Sequence, residues 1–521
     1  MDGSGSNGVP RGRLDRIACP LVRARIENLS ARLVAPLAIA AGAVVLWVAA
    51  GVGFANYDTL YALAWGGQLA RGETPQYGIP IAPTPHPLVE ALGVVLSPLS
   101  PGAIEGVTVA LGFLALSGSG WVLYRLGSLW FGRAAGALAA LILLTRVPVL
   151  SYGVRAYVDI PYLLLVLCAL LVEARHRRAG APVLALLALA GLLRPEAWVF
   201  SGLYWLYLMN WTPRTARAYV RTRGRARSEP LATESPRFSR RQIAGLTLLA
   251  AAAPLLWVAS DWLVTGHPLW SLTNTRHTAE TLDRVTGIAN VPEYIPRRIG
   301  EILGPPALFG AALGGVLSLW LLPRRTRLGA VVGVVAVLVF AAFATAGLPI
   351  DTRYAFLAAA ILCIFCGAGA FGWTRLPRED PRRPWWMAGG ALVLVALLAY
   401  IPTQYRTTHR QLTKLAHQET FQNDLVALVQ DGSITRRCEP VGVPNHAPIP
   451  LLALYLGTSP REIVSAEASP ITRGSYVDPA SREVEEDYVL DPHDPHLAVE
   501  VPPGFTEAHA NSAWFVFERC P

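Results

Sequence analysis

Apolar runs about as long as a bilayer crossing recur along most of the chain, separated by short polar stretches. A hydrocarbon core about 30 Å thick takes roughly 20 helical residues. Runs of that kind start near Val34, Ile104, Arg133, Val158, Ile243, Ala307, Leu328, Tyr354 and Trp386. A longer run between Pro182 and Asn210 is interrupted by Arg194, Pro195 and Glu196, and reads as two short helices meeting at that break. The pattern predicts an α-helical polytopic membrane protein with about eleven transmembrane helices. From about Thr403 the apolar runs stop, and acids gather at Glu483, Glu485, Glu486, Asp487, Asp491 and Asp494. An amphipathic helix over 406–429, then short strands between Pro- and Gly-rich turns, predicts a small C-terminal α/β domain of about 115 residues. The organisation expected is a basic segment over 1–33, a membrane domain over 34–402 with outer loops 56–101 and 261–304, and an outer domain over 403–521.

The composition agrees with a membrane protein. Of 521 residues, 53% are hydrophobic and 16% charged, with a mean hydropathy of +0.38, which excludes an ordinary soluble domain. The basic residues fall in phase. Arg11, Arg13, Arg16, Arg23, Arg25 and Arg32 precede the first run, and alternate loops (125–133, 175–178, 214–241, 324–327 and 375–383) are arginine-rich. Positive loops stay cytoplasmic, so the N-terminus is expected inside. An odd number of crossings then places the C-terminal domain outside a bacterial cytoplasmic (inner) membrane. The net charge of +9 is thereby topology, and no nucleic-acid partner is expected. Lys414 is the lone lysine, which suggests a GC-rich genome. The run over 34–54 is too long for a signal-peptide core and is expected to stay in the mature protein.

Cys438 and Cys520 both lie in the predicted outer domain, beside strand-like runs, where an oxidising compartment allows a disulfide. Two buried thiols are the alternative. Cys19, Cys168, Cys363 and Cys366 read as small apolar residues.

The candidate chemistry gathers at the outer ends of the helices. Asp58 follows the first apolar run and opens a loop crowded with aromatic residues, prolines and His86. Arg155, Arg194 and Arg353 each stand at a helix end or break, and charges at membrane depth point to function. A lipid-linked sugar sets a matching chemical problem at that boundary. Displacing its phosphate takes an aligned hydroxyl, a carboxylate to accept the proton and cations to receive the leaving group.

Asn56, Tyr57, Asp58, Thr59, Leu60 and Tyr61, followed by Trp65, Gly72, Pro75 and Tyr77, resemble the first outer loop of the GT-C glycosyltransferases. These polytopic enzymes use polyprenyl-phosphate sugars, and include protein O-mannosyltransferases and lipid A aminoarabinose transferases. Three further stretches match in order. Arg155 to Tyr162, with Asp159, is similar to the second acidic motif. Leu193 to Trp198, with Arg194 and Glu196, resembles the broken-helix motif that carries a basic residue near the donor phosphate. Asp351 to Tyr354 resembles the late Arg-Tyr motif. The likeness spans roughly residues 34–375. It departs where relatives often pair two acids, since Tyr57 and Thr59 flank Asp58 here, and where some carry a lysine in place of His86.

The resemblance implies a GT-C fold and an inverting transfer of a sugar from a polyprenyl-phosphate donor to an acceptor hydroxyl of a glycan, lipid or protein. Asp58 is then the base. Arg194 and Arg353, with Arg155, hold the phosphate, while Asp159, His86, Glu196 and Tyr354 contact sugar or acceptor. No cofactor is expected, and a divalent metal is not favoured, since one acid offers too few oxygen ligands. Competing structural roles stand beside these: Asp58 as cap of the loop helix, Asp159 as cap before Pro161, Arg194 as ion-pair partner of Glu196, and Arg353 as surface partner of Asp351. Trp65, Trp270, Tyr61 and Tyr294 form either an interfacial belt or sugar platforms. The alternatives at the level of function are a transporter or flippase of lipid-linked saccharides, or a non-catalytic binder of them. No internal repeat of the transporter kind is found in the sequence.

Overall fold

Each apolar run marked in the sequence becomes a helix in the computed structural model, which describes residues 20–209, 238–489 and 500–520. The head up to residue 19, the arginine-rich loop over 210–237, and Asp491 and Asp494 lie outside the described residues. The elements run in order: α1 (Pro20–Ala50), α2 (Tyr57–Ala70), α3 (Pro87–Leu96), α4 (Pro101–Phe131), α5 (Arg133–Thr145) and α6 (Val147–Val154). There follow α7 (Asp159–Arg175), α8 (Ala181–Gly191), α9 (Glu196–Met209), α10 (Arg240–Thr265), α11 (Trp270–Thr281), α12 (Val291–Leu321), α13 (Pro323–Thr345), α14 (Phe356–Phe371) and α15 (Arg383–Gln430). Among the described residues, seven helical segments are long and apolar enough to cross a membrane singly, and α5 with α6, bent by 65° at their junction, counts as an eighth where the pair is one span. The remaining predicted crossings are the shorter α7, α8 and α9 (17, 11 and 14 residues). The chain is a multi-pass membrane protein.

α14 is the axis of the bundle, buried along nearly all its length and packed between α12 and α5. Gly367 and Gly369 let it approach so closely that a Cβ at either would strike the backbone of Ala135 or Gly310. Small residues at such crossings supply the close packing that lipid cannot drive. Cys363 and Cys366 are buried on this helix as free thiols.

Two helix breaks meet at Arg146. The guanidinium lies at the α5–α6 bend, donating from Nε to Ile142 O (3.1 Å) and from Nη1 to Leu303 O (2.8 Å). Leu303 precedes Gly304, whose φ of 71° breaks α12 just before Pro305 and Pro306. A cation thereby serves the carbonyls left open at two helix C-termini. The stretch 146–159 contains α6.

Beyond the bundle a five-stranded sheet is built from β1 (Val441–Val443), β2 (Ile463–Ser465), β3 (Gly474–Pro479), β4 (Thr506–Ala510) and β5 (Trp514–Arg519), in the order β2-β1-β3-β5-β4. β1 is parallel to both β2 and β3, and β5 is antiparallel to both of its neighbours. α16 (Ile449–Leu456) connects β1 to β2. The expected amphipathic helix over 406–429 is not separate. It continues the last membrane helix through Pro402, so α15 runs unbroken for 48 residues. Its outer half packs the sheet, with Trp514 Nε1 donating to Phe421 O at 2.8 Å. The Cys438–Cys520 disulfide is present and ties the start of β1 to the end of β5 across 82 residues.

Candidate functional site

Asp58 is held in place by the residue that caps its helix. Asn56 Oδ1 accepts from the backbone N–H of Asp58 (2.9 Å) and of Thr59 (3.2 Å), so Asn56 is the N-cap of α2. The capping role considered for Asp58 is thereby taken, and its carboxylate projects from the second position of the helix. Asn56 Nδ2 donates to Arg155 O (2.9 Å), and Thr59 Oγ1 to Ala156 O (2.9 Å). These bonds lock the start of α2 to the turn after α6. Glu105 on α4 accepts the N–H of Ala55 (3.1 Å), and Glu419 on α15 accepts that of Gly53 (3.2 Å).

Two arginine clusters follow, one on this carboxylate and one beside it in the helix break. Arg353 donates from Nη1 to Asp58 Oδ2 at 3.0 Å and pairs through Nη2 with Asp351 Oδ2 at 3.3 Å. Arg194 sits in the α8–α9 break between two acids, bonded to Asp159 Oδ1 and, through Nη2, to Glu196 Oε1 at 2.7 Å. All three groups are buried. The Tyr354 ring lies between the clusters, 4.5 Å from the Arg194 guanidinium and 5.9 Å from that of Arg353. Arg155 differs from both. It donates to Ser151 O (3.1 Å) and Ser151 Oγ (2.9 Å), stacks over Tyr157 (4.9 Å), and has no carboxylate partner among the described residues.

The break also accounts for His86. Pro195 has no N–H to give the preceding turn, and the carbonyls left over are taken by neighbours. Leu192 O accepts from Leu88 N (3.2 Å), and Leu193 O from His86 Nδ1 (2.8 Å). Since a carbonyl only accepts, Nδ1 carries the proton and Nε2 the lone pair. Burial lowers the imidazole to about 4, so His86 is neutral at physiological pH.

A cavity of about 1140 Å³ opens over these groups. Asp58, His86, Arg155, Arg194, Arg353 and Tyr354 line it, whereas Asp159 and Glu196 stand behind Arg194 and do not. Asp159 opens α7 without capping it and is an ion-pair partner. Tyr61 and Trp65 are fully buried, so neither forms a belt or a platform; they pack in a row with Tyr57 and Tyr77. Sequence reasoning missed Asn56 as the cap, which its position before α2 signals, and the particular residues that α15 and the outer domain bring to the cavity, Gln422, His446 and Asp487; that the outer domain would help to position the acceptor is an expectation of the sequence. Arg284, 3.9 Å from Asp351, also lines the wall. One cluster of three His, Cys, Asp or Glu donors with metal-like spacing occurs among the described residues, Cys438, Glu518 and Cys520, and its two sulfurs are joined in the disulfide.

No family model matches the chain, and no curated protein matches it. A solved structure does. The crystal structure of ArnT from Cupriavidus metallidurans bound to undecaprenyl phosphate aligns with a TM-score of 0.52 at 15% identity, covering 92% of this chain and 97% of that one. The fold is of the GT-C type, a helical membrane bundle carrying a small C-terminal sheet domain.

Proposed function

We propose that this chain is an inverting glycosyltransferase that moves a sugar from a polyprenyl-phosphate donor to an acceptor hydroxyl at the outer face of a bacterial cytoplasmic membrane. The observation that carries the reading is the Asp58–Arg353 pair in a cavity that Arg155 also lines. Its occurrence on a fold shared with a protein solved with undecaprenyl phosphate supports the choice of donor.

In this reading Asp58 takes the acceptor proton while the hydroxyl oxygen bonds to the anomeric carbon. The anomeric C–O bond breaks, and its electron pair leaves with polyprenyl phosphate. One displacement with one acid inverts that carbon. Arg353 and Arg155 receive the phosphate through charge-assisted hydrogen bonds. Arg194, bracketed by Asp159 and Glu196, holds Tyr354 and the adjoining wall in position. The neutral His86 offers Nε2 to a sugar hydroxyl. The reading calls for no resident metal, because Asp58 faces a guanidinium rather than further oxygen donors.

The test is sugar transfer by purified protein, with a panel of polyprenyl-phosphate hexoses and pentoses, beginning with mannose and arabinose carriers. Release of polyprenyl phosphate that disappears in Asp58→Asn supports the assignment. Release unchanged in that variant removes Asp58 as base. No release from any donor, with donor flux across proteoliposomes instead, would favour a transporter.

A further inference from the structure

Between α1 and α2 the backbone over 51–56 is not helical, and every N–H from Gly53 to Asn56 has an acceptor. Those of Phe54 and Asn56 donate to Val154 O (3.2 Å) and Arg155 O (3.0 Å), carbonyls left open at the end of α6. Those of Gly53 and Ala55 donate instead to carboxylates, Glu419 Oε1 of α15 (3.2 Å) and Glu105 Oε1 of α4 (3.1 Å). The alternation is that of a strand, with side-chain acids standing in for a neighbour along one edge. The segment lies close against α4, since a Cβ at Gly53 would come within 2.9 Å of Val109 Cγ1.

Glu105 carries a second bond. Its Oε2 accepts from Tyr455 OH at 2.9 Å, and Tyr455 belongs to α16 of the outer domain. The far end of α2 meets the same domain, where Gln68 Nε2 donates to Ser459 Oγ (3.1 Å) and α16 packs on α2. The helix that bears Asp58 is thus held to the outer domain near both of its ends. Glu105 itself does not line the cavity.

We infer that Glu105 is a positioning residue: bonded to Ala55 through one oxygen and to Tyr455 through the other, it fixes Asp58 relative to the outer domain. It acts through Ala55 on Asn56, whose side chain caps α2 at the N–H of Asp58. The Arg155 guanidinium is held separately, by Ser151, so loosening the segment displaces the carboxylate and leaves that phosphate partner in place. Glu105 therefore serves the proton-accepting step rather than donor binding. This rests on the reading of Asp58 as the base, but the first of its two measurements needs no turnover.

Full-length protein in nanodiscs is to be compared as native, Glu105→Gln, Glu105→Leu and Tyr455→Phe. Glutamine can keep both bonds, its oxygen accepting from Ala55 N and its amide donating to the Tyr455 oxygen, whereas leucine makes neither. Amide hydrogen exchange over 53–58 is expected to quicken about tenfold in Glu105→Leu, less in Tyr455→Phe, and least in Glu105→Gln. With the polyprenyl-phosphate sugar that the native protein turns over, kcat is expected to fall about tenfold or more in Glu105→Leu and about threefold in Tyr455→Phe. Donor KM should stay within about twofold, and Glu105→Gln should recover most of kcat. Exchange unchanged in Glu105→Leu and Tyr455→Phe, a kcat as low in Glu105→Gln as in Glu105→Leu, or a donor KM that rises as kcat falls would each overturn the inference. Should Glu105→Leu fail to fold, Tyr455→Phe decides alone, since it removes one hydroxyl and leaves the carboxylate. Faster exchange in Tyr455→Phe, with no transfer by the native protein from any donor, would uphold the link to the outer domain and remove the reading of Asp58 as a base.

Discussion

Arg353 Nη1 lies 3.0 Å from Asp58 Oδ2, so the guanidinium proposed to receive the phosphate is also the partner of the carboxylate proposed to take the acceptor proton. On the proposed reading a donor phosphate would compete for the same guanidinium and free the carboxylate. Binding is therefore expected to be ordered, donor first, with product inhibition by polyprenyl phosphate competitive against the donor. A random order in initial-rate kinetics would contradict this. Asp58→Asn removes the competitor for Arg353, so it is expected to bind polyprenyl phosphate at least as tightly as the native protein while losing transfer by about a thousandfold or more.

Arg155 and Arg194 separate binding from folding. Arg155 has no carboxylate partner among the described residues. Arg155→Ala is expected to weaken donor binding by about 1.5–3 kcal/mol, the worth of a hydrogen bond to a charged group, with little change in apparent Tm. Arg194→Ala leaves Asp159 and Glu196 buried without their cation. Such a loss costs about 3–5 kcal/mol, and thermal unfolding in detergent will show it as a large fall in Tm.

Cys438→Ser opens the loop that the disulfide closes across 82 residues. A native disulfide contributes about 2–5 kcal/mol, and the outer sheet should become sensitive to protease in the variant. Native protein should shift in mobility on reduction, and the variant should not.

The sheet also carries a pH-sensitive carboxyl. Burial, followed by the charge of Glu485, raises Asp478 from 3.8 to about 7. The folded state holds a proton there that the unfolded chain gives up near 3.8. The associated stability is complete below that pH and is lost as pH rises through 7. The apparent Tm of the native protein should fall between pH 5 and pH 8, and Asp478→Asn should flatten that fall. An identical slope in both proteins would exclude Asp478 as its source.

What the sequence shows and what it hides divide along physical lines. Helix positions follow from local hydropathy, and the α8–α9 break follows from Pro195, so both are legible. Asp58, Arg155, Arg194 and Arg353 stand out because charge is rare beside apolar runs. Asn56 is readable as a cap only once the start of α2 is known to within a residue, and Asp58, two positions later, is an equally good candidate. Gln422 and His446 are invisible because their place on the cavity wall depends on strand pairing and on the path of α15. Pro402 reads as a helix end, yet α15 passes through it, because packing on both sides outweighs one missing hydrogen bond.

Sidedness remains an expectation of the arginine pattern, and a fusion tests it. A reporter active only outside the cytoplasm should work at the C-terminus and fail in the 324–327 loop. The reverse would invert the topology.

The unbroken course of α15 couples the outer sheet to the bundle in phase as well as in height. At about 1.5 Å and 100° per residue, the 48-residue helix extends about 72 Å. One residue inserted in its outer half would turn the sheet by over a quarter of a revolution about the helix axis. The wall bearing His446 would then no longer overlook Asp58. The spacing between the two ends of the cavity is thus a helical count, set by the number of residues rather than by the flexibility of a linker.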